Sequence, residues 1–285
     1  MRWTLVKPLS LVLAVTALAA PRGAFASAPD VSVEHYEVGG SPVVVVRPKE
    51  AKGPLPLVVL IAGLGELARG AKAGAAGHVE RYGLVPAYRA VLSGRLDAES
   101  FQGLVTGDDL EGYRQRLACG FGGLVLVGVA APVDYSRRFE RYVTETVVPW
   151  AERTLNVVPG RRGIDGISLG ARHALILGLG TGKFDAVGTQ QAAVRRPAAV
   201  LRAAPRARAG AVVNLLTSTH DPFRPDVLRL GAALAKVPVS TEVRVLPGRH
   251  DKRFAKGPAM IDLLLFHDGV LRGRCRGAAA QRSPP

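Results

Sequence analysis

A chain of 285 residues, 48% hydrophobic and 21% charged, is long enough to bury one sizeable core, and size alone leads us to expect about one domain. Its formal net charge of +15 favours anionic partners or substrates. The arginines are scattered and aromatics make up only 6% of the chain, so there is no stacking surface of the kind nucleic-acid binding needs, and that function class is set aside.

Residues 1–26 read as an export signal. Arg2 and Lys7 precede an apolar run from Leu9 to Ala20, and Ala24-Phe25-Ala26 supplies a small-residue cleavage site after Ala26. The run is shorter than the ~20 apolar residues a membrane span needs, so no stable span is expected after cleavage. The protein is expected to be exported, to a periplasm or beyond the cell. Losing residues 1–26 removes Arg2, Lys7 and Arg22 and no acid, which takes the net charge from +15 to +12. That charge suits contact with an anionic envelope polymer. Residues 27–272 are expected to form a single domain, and the small, basic, proline-ended stretch 273–285 a frayed tail.

Within the domain, "VSVEHYEV" (31–38) and "PVVVVRP" (42–48) read as a leading pair of strands separated at Gly39-Gly40. The run "PLVVLIAG" (56–63) is continuously apolar, the pattern of a strand buried on both faces. Further strands are expected at 123–130, 162–168, 184–191, 211–218 and 241–248, with helices at 85–94, 108–118, 137–155, 169–180, 225–237 and 259–273. Strand and helix alternate, so the fold class is α/β: a mostly parallel twisted sheet with helices on both faces.

The stretch "GIDGISLGARHALIL" (163–177) sets Ser168 between Gly166 and Gly170, at a tight junction from strand into helix. Such a turn strains the serine backbone, lifts its hydroxyl above the sheet and excludes side chains from the two glycine positions. A serine nucleophile needs a base in contact and an acid to orient that base. Asp221 and His250 each fall just past the end of a late strand. They therefore share the carboxyl-end rim with Ser168, where open α/β sheets bind their ligands.

Other residues compete for these roles. His220 adjoins the strand end that carries the acid, His267 falls inside the last helix, and His173 lies a turn into the helix after Ser168. Asp226 is the reserve acid. An oxyanion hole is expected from the amides of Leu169 and Leu64, with Gly65 as runner-up to Leu64. The arginines at 195, 196, 202, 206 and 208 either bind an anionic group of the substrate or form a solvated face. Cys119 and Cys275 either form one bridge or stay as two thiols. No cofactor and no metal is expected, since neither an i, i+4 histidine pair nor a Cys/His cluster is present.

Taken together, "FERYVTETVVPWAERTLNV", "IDGISLGARHALILGLGTGKFDAVG", "TSTHDPFRPD" and "LPGRHD" resemble one branch of the α/β-hydrolases. That branch holds esterase D-type enzymes, enterochelin esterases, feruloyl and acetylxylan esterases and the secreted mycolyltransferases. The resemblance runs in order over most of residues 43–270, although Ala171 stands where the family often has a second glycine. It implies an α/β-hydrolase fold with Ser168 as nucleophile, Asp221 as acid and His250 as base. The expected activity is an exported serine esterase acting on a small-molecule, glycan or lipid ester. The alternatives are an envelope acyltransferase using the same three residues and a non-catalytic envelope-binding protein that retains the fold.

Overall fold

The computed structural model describes residues 30–195 and 197–274. The expected signal segment 1–26, Arg196, Cys275 and nearly all of the expected tail lie outside the described residues.

Strands β1 (Val31–Val38) and β2 (Ser41–Pro48) form a hairpin, and β3 (Leu55–Ile61) follows. Helices α1 (Leu64–Leu67), α2 (Ala71–Glu80), α3 (Leu84–Leu92) and α4 (Gly107–Ala118) lead to β4 (Val125–Val129). A long helical stretch comprises α5 (Arg137–Arg141), a π-helical turn at Tyr142–Val147 and α6 (Val148–Thr154). Then come β5 (Val157–Gly166), α7 (Leu169–Gly180), β6 (Ala186–Gln190), α8 (Ala198–Ala203), β7 (Val212–His220), α9 (Arg224–Leu234) and β8 (Ser240–Arg249). The chain closes with α10 (Lys252–Phe254), a second π turn at Ala255–Ala259 and α11 (Met260–Arg272).

The eight strands make one sheet in the order β1-β2-β4-β3-β5-β6-β7-β8. Only the β1–β2 and β2–β4 pairings are antiparallel. Central strands β3, β4 and β6 are buried along their whole length, which is why their sequences are continuous apolar runs. Pleating sends Leu57, Val59 and Ile61 of β3 into one core, with α5 to α9. Val58 and Leu60 go into the other, with α3, α4 and α11.

The structure departs from the sequence reading in three places. First, β5 begins at Val157, five residues early, because Val157 pairs with Leu55 and a register shift before Leu57 absorbs the Pro159-Gly160 kink. Second, α1, α2, α8 and α10 are absent from the sequence reading. Helix α2, "AKAGAAGHVE", has almost no apolar periodicity. Its small residues instead let its backbone lie on the sheet: a Cβ at Gly128 of β4 would sit 2.3 Å from the Ala75 carbonyl oxygen. Third, the stretch expected as one helix over 137–155 contains a π turn next to Pro149, and the other π turn contains Pro258. Proline removes an amide donor, and a widened turn accommodates the loss.

Beneath α11, the carboxylate of Asp262 is fully buried. It accepts from Tyr113 Oη (3.0 Å), Arg116 Nη1 (2.9 Å) and Asn214 Nδ2 (2.6 Å), and it also pairs with Arg244. Burial pushes this carboxyl up, but Arg244 and Arg116 outweigh it and hold the group below the usual carboxylate range. Asp262→Ala takes the buried carboxylate away from the half-buried Arg244 and Arg116 and leaves Arg244 only the more distant Glu242, 3.6 Å away. It is expected to lower stability by about 3–5 kcal/mol, read as a shifted midpoint in urea unfolding.

Candidate active site

Ser168 lies between the end of β5 and the start of α7 with φ +56° and ψ −114°. A non-glycine residue rarely adopts this backbone without outside support. Both of its peptide groups are held. Its N–H donates to the Gln190 carbonyl at 2.9 Å, and its carbonyl accepts from the Ala193 N–H at 3.0 Å. The glycines on either side leave the necessary space. A Cβ at Gly170 would fall 2.2 Å from the Ile61 carbonyl oxygen, and one at Gly166 would fall 2.4 Å from the Gly170 carbonyl. The α7 helix can therefore meet β3 and β5 only if both positions lack side chains.

The structure brings the other two predicted residues to this hydroxyl. His250, just past β8, sets its Nε2 3.0 Å from Ser168 Oγ. Its Nδ1 lies 3.0 Å from Asp221 Oδ1. Asp221, just past β7, has a fully buried side chain whose two oxygens have further donors. Oδ1 also accepts from the Phe223 N–H at 3.0 Å, and Oδ2 accepts from Thr217 Oγ1 at 2.7 Å. Burial pushes the Asp221 carboxyl up, but the bonds from His250, Phe223 and Thr217 prevail and hold it below its ordinary value. The Phe223 ring packs edge-on against the imidazole, with centroids 5.4 Å apart. Arg195 places its guanidinium over the same phenyl ring, 5.3 Å from its centroid.

Leu64 and Leu169 are the first residues of α1 and α7, and neither amide has a hydrogen-bond partner among the described residues. Free amides at helix starts carry partial positive charge. Gly63 brings the α1 start close to the serine: a Cβ on it would lie 3.6 Å from Ser168 Cβ. The Gly63 N–H donates to Tyr82 Oη at 3.2 Å, and that phenol donates to the buried Glu66 carboxylate. Arg81 Nε lies 3.4 Å from the other Glu66 oxygen. The loop is thus anchored from behind by a buried Tyr–Glu pair that the sequence reading missed.

The competing residues sit elsewhere. His220 is exposed and lies against Thr219 Oγ1, and Asp226 pairs with Arg229. His173 is buried with Nε2 3.0 Å from the Pro132 carbonyl oxygen. His267 is buried against Asp165, Nε2 to Oδ2 2.9 Å. Of the described arginines on the connection after β6, Arg195 reaches the edge of the site through the Phe223 ring. Arg206 donates to the Gly180 carbonyl, and Arg208 pairs with Asp185 at the opposite rim of the sheet. Two open clefts border β1 and β2, one at Glu34, Arg47 and Lys49 and the other at Tyr36, Arg69 and Lys72; neither includes Ser168, Asp221 or His250. Among the described residues, no group of three His, Cys, Asp or Glu side chains is arranged to hold a metal ion. No described helix is long and apolar enough to cross a membrane.

Residues 127–205, from β4 through the Ser168 turn to α8, match the family described as "Putative esterase". A ferulic acid esterase superposes with TM-score 0.57 at 16% identity, over 85% of this chain and 98% of its own. The S-formylglutathione hydrolase FrmB from Staphylococcus aureus gives 0.56 at 13% identity, over 86% and 99%. The S-formylglutathione hydrolase from Agrobacterium tumefaciens gives 0.54 at 16%, over 86% and 97%. The chain shares the α/β-hydrolase fold of these proteins. No curated protein sequence matches it. The family match covers the serine turn but ends before Asp221 and His250, so the meeting of those residues with Ser168 is a finding of tertiary structure.

The lowered Asp221 carboxyl makes a pH prediction for this protein. A group whose folded value lies below its ordinary 3.8 stabilises the fold above that pH, and the contribution fades as acid protonates it. Asp221→Asn is therefore expected to be less stable than the parent near neutral pH. The gap should narrow below about pH 4, as measured by urea unfolding at a series of pH values.

Proposed function

We propose that the protein is an exported carboxylic-ester hydrolase that works through an acyl-enzyme on Ser168. The observation that carries this reading is the unbroken line Ser168 Oγ–His250 Nε2–Nδ1–Asp221 Oδ1, with 3.0 Å at each step. His250 removes the hydroxyl proton as Ser168 Oγ attacks the ester carbonyl carbon, and the carbonyl oxygen takes up negative charge. Asp221 holds the Nδ1–H and stabilises the imidazolium that forms. The unpartnered amides of Leu64 and Leu169 receive the oxyanion; a donor of this kind contributes about 3 kcal/mol to the barrier.

The imidazolium then protonates the leaving alcohol, and the C–O bond breaks to leave the acyl group on Ser168. Water, deprotonated by His250, adds to that acyl carbon. Collapse of the second oxyanion releases the carboxylic acid and returns the proton to the serine oxygen. The structural neighbours carry names with acyl groups as unlike as ferulate and formyl. A small activated ester is therefore the first substrate to test.

Ser168→Ala is expected to lower kcat for p-nitrophenyl acetate by about 10⁴-fold or more while the protein stays folded. It should also abolish labelling by a fluorophosphonate probe that marks the parent. A clean Ser168→Ala preparation that hydrolyses the ester at the parental rate would reject the assignment. Export rests on residues 1–26 and predicts a mature protein that begins at Ser27, read by N-terminal sequencing of material recovered outside the cytoplasm; an uncleaved Met1 there would overturn it.

A further inference from the structure

Gln191, the residue after β6, lies in the left-handed region at φ +51°, and its side chain is buried. With Gln102 and Ser168, it is one of three non-glycine residues of positive φ among the described residues. Its backbone N–H donates to the Leu216 carbonyl at 2.7 Å. The chain then turns back beneath the serine, where the Ala193 N–H meets the Ser168 carbonyl.

The side-chain amide uses both hydrogens. One goes to Ser218 Oγ at 2.6 Å and the other to the Arg249 carbonyl at 2.8 Å. A carbonyl can only accept, so the nitrogen end of the amide must face it. In the sheet β7 separates β6 from β8, so this side chain reaches over the end of β7 to hold the peptide just before His250. The same Arg249 oxygen accepts from the Asp251 N–H at 2.9 Å, which closes a tight turn with His250 at its apex. Neighbouring Gln190 turns its own amide toward Asp165 instead, 3.4 Å away within the sheet.

We infer that Gln191 is a positioning residue that sets the reach from His250 to Ser168. One short segment, residues 190–193, brackets both peptide groups of the serine and also grips the carbonyl that orients the histidine turn. Proton transfer depends steeply on this separation, and a displacement near 1 Å costs about 100-fold in rate. Gln191 touches no reacting atom, so it acts on turnover through His250 and leaves ester binding alone. The inference rests on the esterase reading above.

The test uses the full-length chain and two variants. Gln191→Met keeps the length and removes both donors. Gln191→Glu keeps length and polarity but, when ionised, cannot donate to the Arg249 carbonyl. Both are expected to lower kcat for p-nitrophenyl acetate about 10–100-fold, with KM within about twofold and fluorophosphonate labelling slowed in proportion to kcat. Val227→Ala, a buried truncation in α9, controls for stability loss and should keep the parental kcat.

The inference is overturned if Gln191→Glu turns over at the parental rate. It is also overturned if KM rises by the same factor by which kcat falls, or if Val227→Ala loses kcat equally. Should Gln191→Met fail to fold, the Gln191→Glu result decides alone. A parent inert to both ester and probe would instead reject the esterase reading itself.

Discussion

The site depends on a strained serine held at both of its peptide groups. Ser168 sits at φ +56°, a conformation an isolated chain would abandon. The Gln190 carbonyl and the Ala193 amide keep it there, and Gly166 and Gly170 allow helix and sheet to close around it. Because that strain is supported from β3, β5 and β6 together, the hydroxyl stands above the sheet rim and faces the turns that follow β7 and β8. A parallel sheet brings these loops to one edge because every one of the strands β3 to β8 ends there.

Three buried carboxylates follow different electrostatic rules. Asp262, between Arg116 and Arg244, is held ionised by opposite charge and ties α4, β7, β8 and α11 together. Asp165, deep under α11, is pushed up by burial despite its bond to His267. Asp221 is stabilised mainly by hydrogen bonds, from His250, the Phe223 amide and Thr217. An acid that must orient an imidazole needs both oxygens fixed, and donors on each oxygen achieve that without a competing cation. The architecture thus separates the acid facing the histidine from the acids that only hold the fold.

Charge is distributed unevenly with respect to this site. The chain is strongly basic, yet several arginines close structural gaps: Arg206 on a helix-end carbonyl, Arg208 across the opposite rim, Arg272 on the glycine turn before β4. Arg195 stands apart, its guanidinium stacked on the phenyl ring that also packs against His250. A planar cation on an aromatic face keeps its hydrogen-bond donors free.

The sheet was legible in the sequence because strands buried on both faces are continuous apolar runs between glycine and proline breaks. The serine turn was legible because two close contacts demand glycine at fixed spacing. Helix α2 was not legible, since its Ala/Gly pattern carries no amphipathic period and the helix forms by backbone approach to the sheet. Asp221 and His250 could be nominated from their places after late strands, but so could His220 and Asp226. Only the packed structure separates them, since it alone turns one pair of side chains toward Ser168. Gln191, Thr217, Tyr82 and Glu66 leave no local trace at all. What each does depends on a backbone or side-chain group far away in the chain, and such pairings exist only once the strands have taken their order. Local chemistry thus determined the strands, the turn and the candidate nucleophile, whereas convergence of distant residues decided which carboxylate, which imidazole and which supports surround it.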